Sequence, residues 1–216
     1  MPIVSDARAL AVRQGVRLEV ITVGWMAAEA VIAVGAGIAA KSVLLTAFGF
    51  DSVVELLSGI VLLRRLAYES GGADGGGVVR MERTATRISA VLLVLLCAYV
   101  ALSSIAGLAL GLKPDASGIG LAVAAVALIV MPLLARAKRG VNRILDSASL
   151  RADIAETMSC AYLAAVTLAG LGSSMLLGWW WMQYIAALAL LIWLVPETRE
   201  AIQAALGGGQ DNEAEL

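Results

Sequence analysis

An apolar stretch at residues 42–63, SVLLTAFGFDSVVELLSGIVLL, limits what this chain can fold into more than any other part of the sequence. It is long enough to cross a bilayer as one helix, since about 20 apolar residues suffice. Two carboxylates, Asp51 and Glu55, lie near its middle. An ionised side chain at that depth costs about 3 kcal/mol or more unless it faces protein, water or a cation. The stretch therefore predicts a membrane helix whose acidic face is covered by other helices.

The composition is that of a polytopic membrane protein. Of the 216 residues, 60% are hydrophobic and 15% are charged, and the mean hydropathy is +0.87. Soluble globular domains do not reach these values. Both cysteines, Cys97 and Cys160, lie inside apolar runs, which argues against a secreted disulfide framework. The sequence has no histidine, so a metal site would need carboxylate, thiolate, hydroxyl or carbonyl ligands.

Six segments are long and apolar enough to be membrane-spanning helices. They lie at about residues 18–39, 42–63, 88–110, 119–135, 150–171 and 178–195. We expect Pro196 to end the last helix and a flexible linker to occupy residues 70–77. The predicted fold is therefore all-α: a short segment at 1–17, a six-helix transmembrane domain at 18–196 and a tail at 197–216.

Positive charge alternates between the loops of this predicted topology. The 16 lysine and arginine residues divide 14 to 2 between the two sides, and the two exceptions are Lys41 and Lys113. Because positively charged loops stay in the cytoplasm, we expect both termini there, in a multi-pass protein of the inner (plasma) membrane. Topology explains the basic loops, so we expect no nucleic-acid partner.

Two pairs of polar residues inside the predicted spans form the candidate functional site. Asp51 and Glu55 are four residues apart, as are Glu156 and Cys160, so each pair lies on one face of its helix. At ~1.5 Å per residue, the pairs lie roughly 13–19 Å and roughly 9–15 Å deep, near the middle of the membrane. Clustered carboxylates repel one another, and a bound dication removes the repulsion. Four donors suit tetrahedral Zn²⁺ or a similar first-row ion, and metal binding would release protons.

Two further acids each allow more than one interpretation. Glu29, roughly 16 Å deep on the first span, is either a metal or proton ligand or a protonated side chain bonded to a neighbouring helix. Asp153, one turn before Glu156, is either a ligand or an access residue, a first-turn acid favoured by the helix dipole, or the partner of Arg151 or another basic residue. Cys160 alone would be a typical small core residue, but its spacing from Glu156 favours a ligand.

The two acid-bearing stretches resemble the cation diffusion facilitator family of metal transporters. The second helix of that family has a serine, a leucine-rich run and then Asp-x-x-x-Asp. The matching residues here are Ser42, Leu44, Leu45, Asp51, Ser52 and Glu55, with Glu in place of the second Asp. The fifth helix of the family reads approximately Leu-x-Ala-Asp-x-x-His-x-x-x-Asp. Its counterparts are Leu150, Ala152, Asp153, Glu156 and Cys160, with Glu in place of His and Cys in place of the last Asp.

The resemblance implies a tetrahedral transport site at Asp51, Glu55, Glu156 and Cys160, and export of a divalent metal from the cytoplasm. It also implies that helices one, two, four and five rock relative to helices three and six. The missing histidine leaves Zn²⁺, Fe²⁺, Mn²⁺, Co²⁺ or a softer ion open. We do not expect the family's C-terminal cytoplasmic domain, so a homodimer would form through the transmembrane helices.

The sequence thus predicts a transporter, not an enzyme, that has no permanent cofactor and exchanges a divalent metal for protons. Its expected partners are the metal ion and the lipid bilayer. Two alternatives use the same acids differently: a non-transporting metal sensor or assembly protein, and a cation channel with an acidic ring.

Overall fold

A computed structural model describes residues 2–71 and 76–207, and within these ranges the chain has six helices and no strand. The helices are α1 (Pro2–Ala39), α2 (Val43–Gly71), α3 (Gly76–Leu110), α4 (Gly118–Leu145), α5 (Ala148–Leu177) and α6 (Met182–Gly207). The predicted all-α fold is confirmed. The middle of the predicted linker, residues 72–75, and the end of the predicted tail, residues 208–216, lie outside the described residues.

Five of the helices are long and apolar enough to cross a membrane. These spans are Leu10–Ala39, Val43–Ala67, Thr86–Leu110, Gly118–Leu145 and Leu150–Leu177. They make the chain a multi-pass membrane protein, as predicted.

Helix α6 does not meet the same criterion within the described ranges. The sequence predicted its apolar run from residue 178, but Gly178 caps α5 in the left-handed conformation, with φ of 70°. The helix therefore begins only at Met182, and Glu197 and Arg199 follow its apolar part. Because α6 begins at Met182 and charged residues follow from Glu197, its apolar segment is shorter than the sequence predicted.

The prediction that Pro196 ends α6 was wrong, because the helix continues to Gly207. Proline lacks a backbone N–H, but the hydroxyl of Thr198 donates a 2.6 Å hydrogen bond to the carbonyl of Leu194 in the same region. Hydroxyl side chains of this kind help membrane helices to accommodate proline. As a result, Glu197 stays on a continuous helix that packs against the bundle.

Four helices form a closed ring around the polar residues. Helix α1 contacts α2 and α4, while α5 contacts α4 and α2. Helices α3 and α6 contact each other and pack onto this ring along α2 and α5. Helix α2 lies at the centre: 61% of its apolar window is buried, against 28–39% in the other four spans. The helix that carries Asp51 and Glu55 is therefore the most buried of the five spans.

The bundle has two different ends. At the terminal end, α1 begins and α6 ends; the opposite end contains the short α1–α2 and α5–α6 turns. At the opposite end a Cβ atom on Gly37 would lie only 2.6 Å from the backbone nitrogen of Thr46, so the helices approach closely through small residues. There Ser42 donates a 2.7 Å hydrogen bond to Gln183, which donates one of 2.9 Å to Ser174. These contacts hold α1, α2, α5 and α6 together at the opposite end.

Candidate metal centre

The two acids of α2 are buried side by side on one helical face. Asp51 is 3% exposed and Glu55 is 4% exposed. The Oε2 atom of Glu55 is buried without a hydrogen-bond partner. Such an atom costs about 1–3 kcal/mol, and more when it carries charge. A proton or a cation at this oxygen would remove the cost, so Glu55 has the environment expected of a ligand.

The two candidate ligands of α5 reach α2 and α1 through hydrogen bonds. Glu156 accepts a 3.1 Å hydrogen bond at Oε1 from the hydroxyl of Ser58 on α2. Cys160 is fully buried, and its thiol donates to Oε1 of Glu29 across 3.6 Å. The same thiol also interacts with the carboxyl group of Glu55. Helices α2 and α5 therefore present their four candidate ligands towards each other.

Glu29 connects three helices at this level. Its Oε1 atom accepts a 2.9 Å hydrogen bond from Ser52 on α2, in addition to the contact with Cys160 of α5. Its Oε2 atom accepts a hydrogen bond from the indole nitrogen of Trp25, one turn earlier on α1. Glu29 also interacts electrostatically with Asp51. The structure thus brings Glu29 to the other candidate ligands, with Ser52 as a polar neighbour whose contact the sequence analysis missed.

The candidate ligands do not form a closed coordination shell in this conformation. In the described part of the chain, no three His, Cys, Asp or Glu side chains are close enough together to hold a metal ion. Instead Glu156 and Cys160 are hydrogen-bonded to Ser58 and Glu29. The ligand roles of Asp51, Glu55, Glu156 and Cys160 therefore stay predictions.

Asp153 lies in a separate ion triad, one turn from Glu156. The ammonium group of Lys138 on α4 donates a 2.6 Å hydrogen bond to Oδ2 of Asp153. The same ammonium group lies 2.9 Å from Oε2 of Glu19 on α1. Of the interpretations given for Asp153, the structure shows the one with a basic partner. That partner is Lys138 and not Arg151. Arg151 instead binds Asp146 at the surface, with 2.6 Å between N and O.

Glu19 and the pairing of Lys138 were not predicted from the sequence. A signal for both was present, because they continue buried series with helical spacing of three or four residues. On α1 the buried series is Glu19, Thr22, Met26, Glu29 and Ala33. On α4 it includes Met131, Leu134, Lys138, Val141 and Leu145. A charged residue in register with such a series is expected to face the bundle interior.

A cavity connects the candidate centre with the terminal end of the bundle. Its volume is about 370 Å³, and α2, α3, α5 and α6 form its walls. The carboxylates that line it belong to Glu55, Asp153, Glu156, Glu197 and Glu200. Burial raises the pKa of Glu197 above its ordinary value, and neighbouring Glu200 raises it further. Arg65 also lies on its wall. The cavity therefore offers a path from the terminal end to the middle of α2 that is lined mainly by acids, with one basic side chain among the lining residues.

A multi-pass helical bundle with buried acids on its most buried helix, reached by a cavity from one end, has the architecture of an ion transporter. The chain belongs to the cation efflux family: the family model described as the cation efflux transmembrane domain matches residues 20–206. The resemblance seen in the sequence is thereby confirmed. Members of this family transport metal cations and are not enzymes, which supports the same activity for this chain. No curated protein matches the chain.

Proposed function

We propose that this protein exports a divalent metal cation from the cytoplasm in exchange for protons. Family membership supports transport of a metal cation. The observation that supports a site on α2 is the buried Oε2 atom of Glu55, which has no hydrogen-bond partner and lies four residues from the equally buried Asp51. The direction of transport and the location in the plasma membrane follow the family resemblance and the distribution of positive charge.

The proposed ligands are Asp51 and Glu55 of α2 with Glu156 and Cys160 of α5. A small shift between these helices would exchange the present hydrogen bonds of Glu156 and Cys160 for bonds to the metal. Because the thiol already donates to Glu29, that carboxyl group is positioned to accept the proton that Cys160 loses on binding. Protons that enter later from the other side would weaken the ligands and release the metal.

Three carboxylates and one thiolate combine hard and soft donors, which is compatible with Zn²⁺, Fe²⁺, Mn²⁺ or Co²⁺. In this proposal Glu29 is a proton acceptor or a fifth ligand. Asp153, paired with Lys138, is an access residue. No resident cofactor is needed, because the metal is the cargo and the protons are the counter-ion.

The structure has the features expected of a cytoplasm-facing state. The distribution of positive charge supports a cytoplasmic location for the terminal end, and the cavity opens towards that end. The hydrogen bonds of Gln183 with Ser42 and Ser174 would have to break for the opposite end to open. In this proposal the ring of α1, α2, α4 and α5 rocks against the α3–α6 pair. Helix α6 forms a sixth membrane crossing. Two copies of the chain associate through their transmembrane helices.

Transport can be tested with purified protein in liposomes that contain a metal-sensitive dye, under an imposed proton gradient. We expect saturable metal influx or efflux with counterflow of protons, and its loss in Asp51→Asn. The matched control is Asp146→Asn, which removes a surface carboxylate that pairs with Arg151. Metal binding without flux of any divalent ion would favour a sensor or assembly protein. Flux that does not saturate and moves no protons would favour a channel.

A further inference from the structure

A stripe of polar side chains runs along the buried face of α5. Its members recur every seven residues, which is within about 20° of two full helical turns, so they lie one above another. They are Asp153, Cys160, Thr167 and Ser174. The first three are at most 6% exposed, and the fourth is partly buried. Because buried polar groups in membrane helices are costly and often mark ion or proton pathways, the stripe needs an explanation along its whole length.

One member of the stripe differs from the other three. Those three each have a hydrogen-bond partner on another helix: Lys138 for Asp153, Glu29 for Cys160 and Gln183 for Ser174. The hydroxyl of Thr167 is fully buried and has no hydrogen-bond partner among the described residues. A buried hydroxyl without a partner destabilises the folded state. The proposed metal centre does not include Thr167, so the site already described gives no reason for this cost.

Thr167 also differs from the other buried threonines of the bundle. Each of those donates a hydrogen bond to the carbonyl oxygen four residues earlier in its own helix; they are Thr22, Thr46, Thr157 and Thr198. A helical threonine can usually make this bond, but Thr167 does not. Within the described ranges, Ser104 is the other buried hydroxyl without a partner. It lies on α3, outside the ring of four helices, and therefore offers a control.

Thr167 lies midway between the metal centre and the opposite end. The helical rise places it about 10.5 Å along the axis from Cys160 and about 10.5 Å from Ser174. Just beyond it, Leu44 of α2 packs against Gly170, where an added Cβ atom would lie 2.5 Å from the Leu44 side chain. In this conformation an apolar layer therefore separates Thr167 from the polar contacts at the opposite end. A shift of α2 would remove that layer.

We propose that Thr167 binds water when the opposite end opens, and that protons reach the metal centre through this water. Hydrogen bonds between water molecules are about 2.8 Å long, so about three waters would fill each gap of about 10.5 Å. A threonine hydroxyl has one donor and two acceptor positions, so it can hold a water on each side.

The proton that enters at the opposite end is passed along this chain to a ligand such as Cys160. There a new S–H bond forms as the sulfur–metal bond breaks, and Thr167 keeps its own proton. The inference rests on the proposed exchange of metal for protons, and it assigns the proton path to a residue outside the transport site.

The first test measures two activities of Thr167→Val in liposomes, because valine keeps the shape of threonine and removes the hydroxyl. We expect Mn²⁺ transport driven by a proton gradient to fall about tenfold, the effect of one lost hydrogen bond, while exchange of Mn²⁺ for radioactive Mn²⁺ at equal pH stays within about twofold. Thr167→Ser keeps the hydroxyl and should stay within about threefold of the wild type. The matched control, Ser104→Ala, removes the other unpartnered hydroxyl and should change neither activity.

The second test measures thermal stability. Loss of an unpartnered buried hydroxyl should raise Tm by about 2–4 °C in both Thr167→Val and Ser104→Ala, although only the first slows transport. A lower Tm in Thr167→Val would overturn the inference, because the hydroxyl would then have a partner. Unchanged proton-driven transport would also overturn it, as would an equal loss of both activities, which would assign the hydroxyl to the passage of metal. A wild-type protein without either activity would refute the transport function, and the inference with it.

Discussion

The ion triad of Lys138, Glu19 and Asp153 gives the sharpest prediction for stability. All three side chains are at most 8% exposed, and they come from α4, α1 and α5. At contact distances of 2.6 and 2.9 Å, each attraction amounts to roughly 6 kcal/mol at an effective dielectric constant of about 20. Lys138→Met removes both attractions. It also removes the cost of burying the ammonium group, which is several kcal/mol.

The net loss should be about 3–5 kcal/mol in the free energy of unfolding, because two buried carboxylates then lack a counter-charge. The triple variant Glu19→Gln, Lys138→Met, Asp153→Asn removes these charges as well and should recover most of the loss. Unfolding by SDS in mixed micelles measures both values. Lys113→Met, at an exposed loop position, is the control and should change stability by no more than about 0.5 kcal/mol.

A loss of less than about 1 kcal/mol in Lys138→Met, which is the range of surface ion pairs, would contradict this prediction. The prediction would also be contradicted if the triple variant were less stable than Lys138→Met alone. The first result would mean that the triad is hydrated. The second result would mean that contacts other than the ion pairs stabilise the Glu19, Lys138 and Asp153 side chains.

Three further predictions concern helix contacts and ion choice. Gly49→Ala should lower the free energy of unfolding by about 1–3 kcal/mol, because the added Cβ atom would lie 2.6 Å from the backbone of α1. The control is Gly24→Ala, where the space is open, and equal thermal stability of the two variants would contradict the prediction. Cys160→Ser should weaken Cd²⁺ binding at least about tenfold and leave Mn²⁺ affinity nearly unchanged, because only the soft ion prefers sulfur; calorimetry that shows equal losses for both ions would argue against a thiolate ligand. Gln183→Leu should cost about 1–3 kcal/mol on thermal unfolding by leaving Ser42 without its buried acceptor; a more stable variant would show that this hydrogen bond does not help to close the bundle.

The spans of the bundle could be predicted because membrane helices depend on local sequence. Apolar length alone located the first five spans, and the four-residue spacing of Asp51 and Glu55 placed both on the buried face of α2. The boundary of α6 could not be located in the same way. It depends on the left-handed cap at Gly178 and on the tolerance of Pro196, neither of which hydropathy measures.

The polar contacts between helices were harder to predict, because they depend on which faces meet. The sequence indicated that Glu29 was unusual but not that Ser52 and Cys160 would bind it. From the sequence, Lys138 was interpreted only as one of the positive charges that keep a loop in the cytoplasm. Its burial requires that Glu19 and Asp153 approach from two other helices, and no short stretch of sequence contains that information.

The hydrogen bond from Trp25 to Glu29 places this indole where its fluorescence would report on the candidate metal centre. Any event that pulls Glu29 towards Cys160 or towards a cation changes the polarity around the indole, and with it the wavelength of its fluorescence. The remaining four of the five tryptophans lie elsewhere, at positions 179, 180, 181 and 193. A chain in which those four are phenylalanine would therefore signal cargo arrival in real time, without an attached dye.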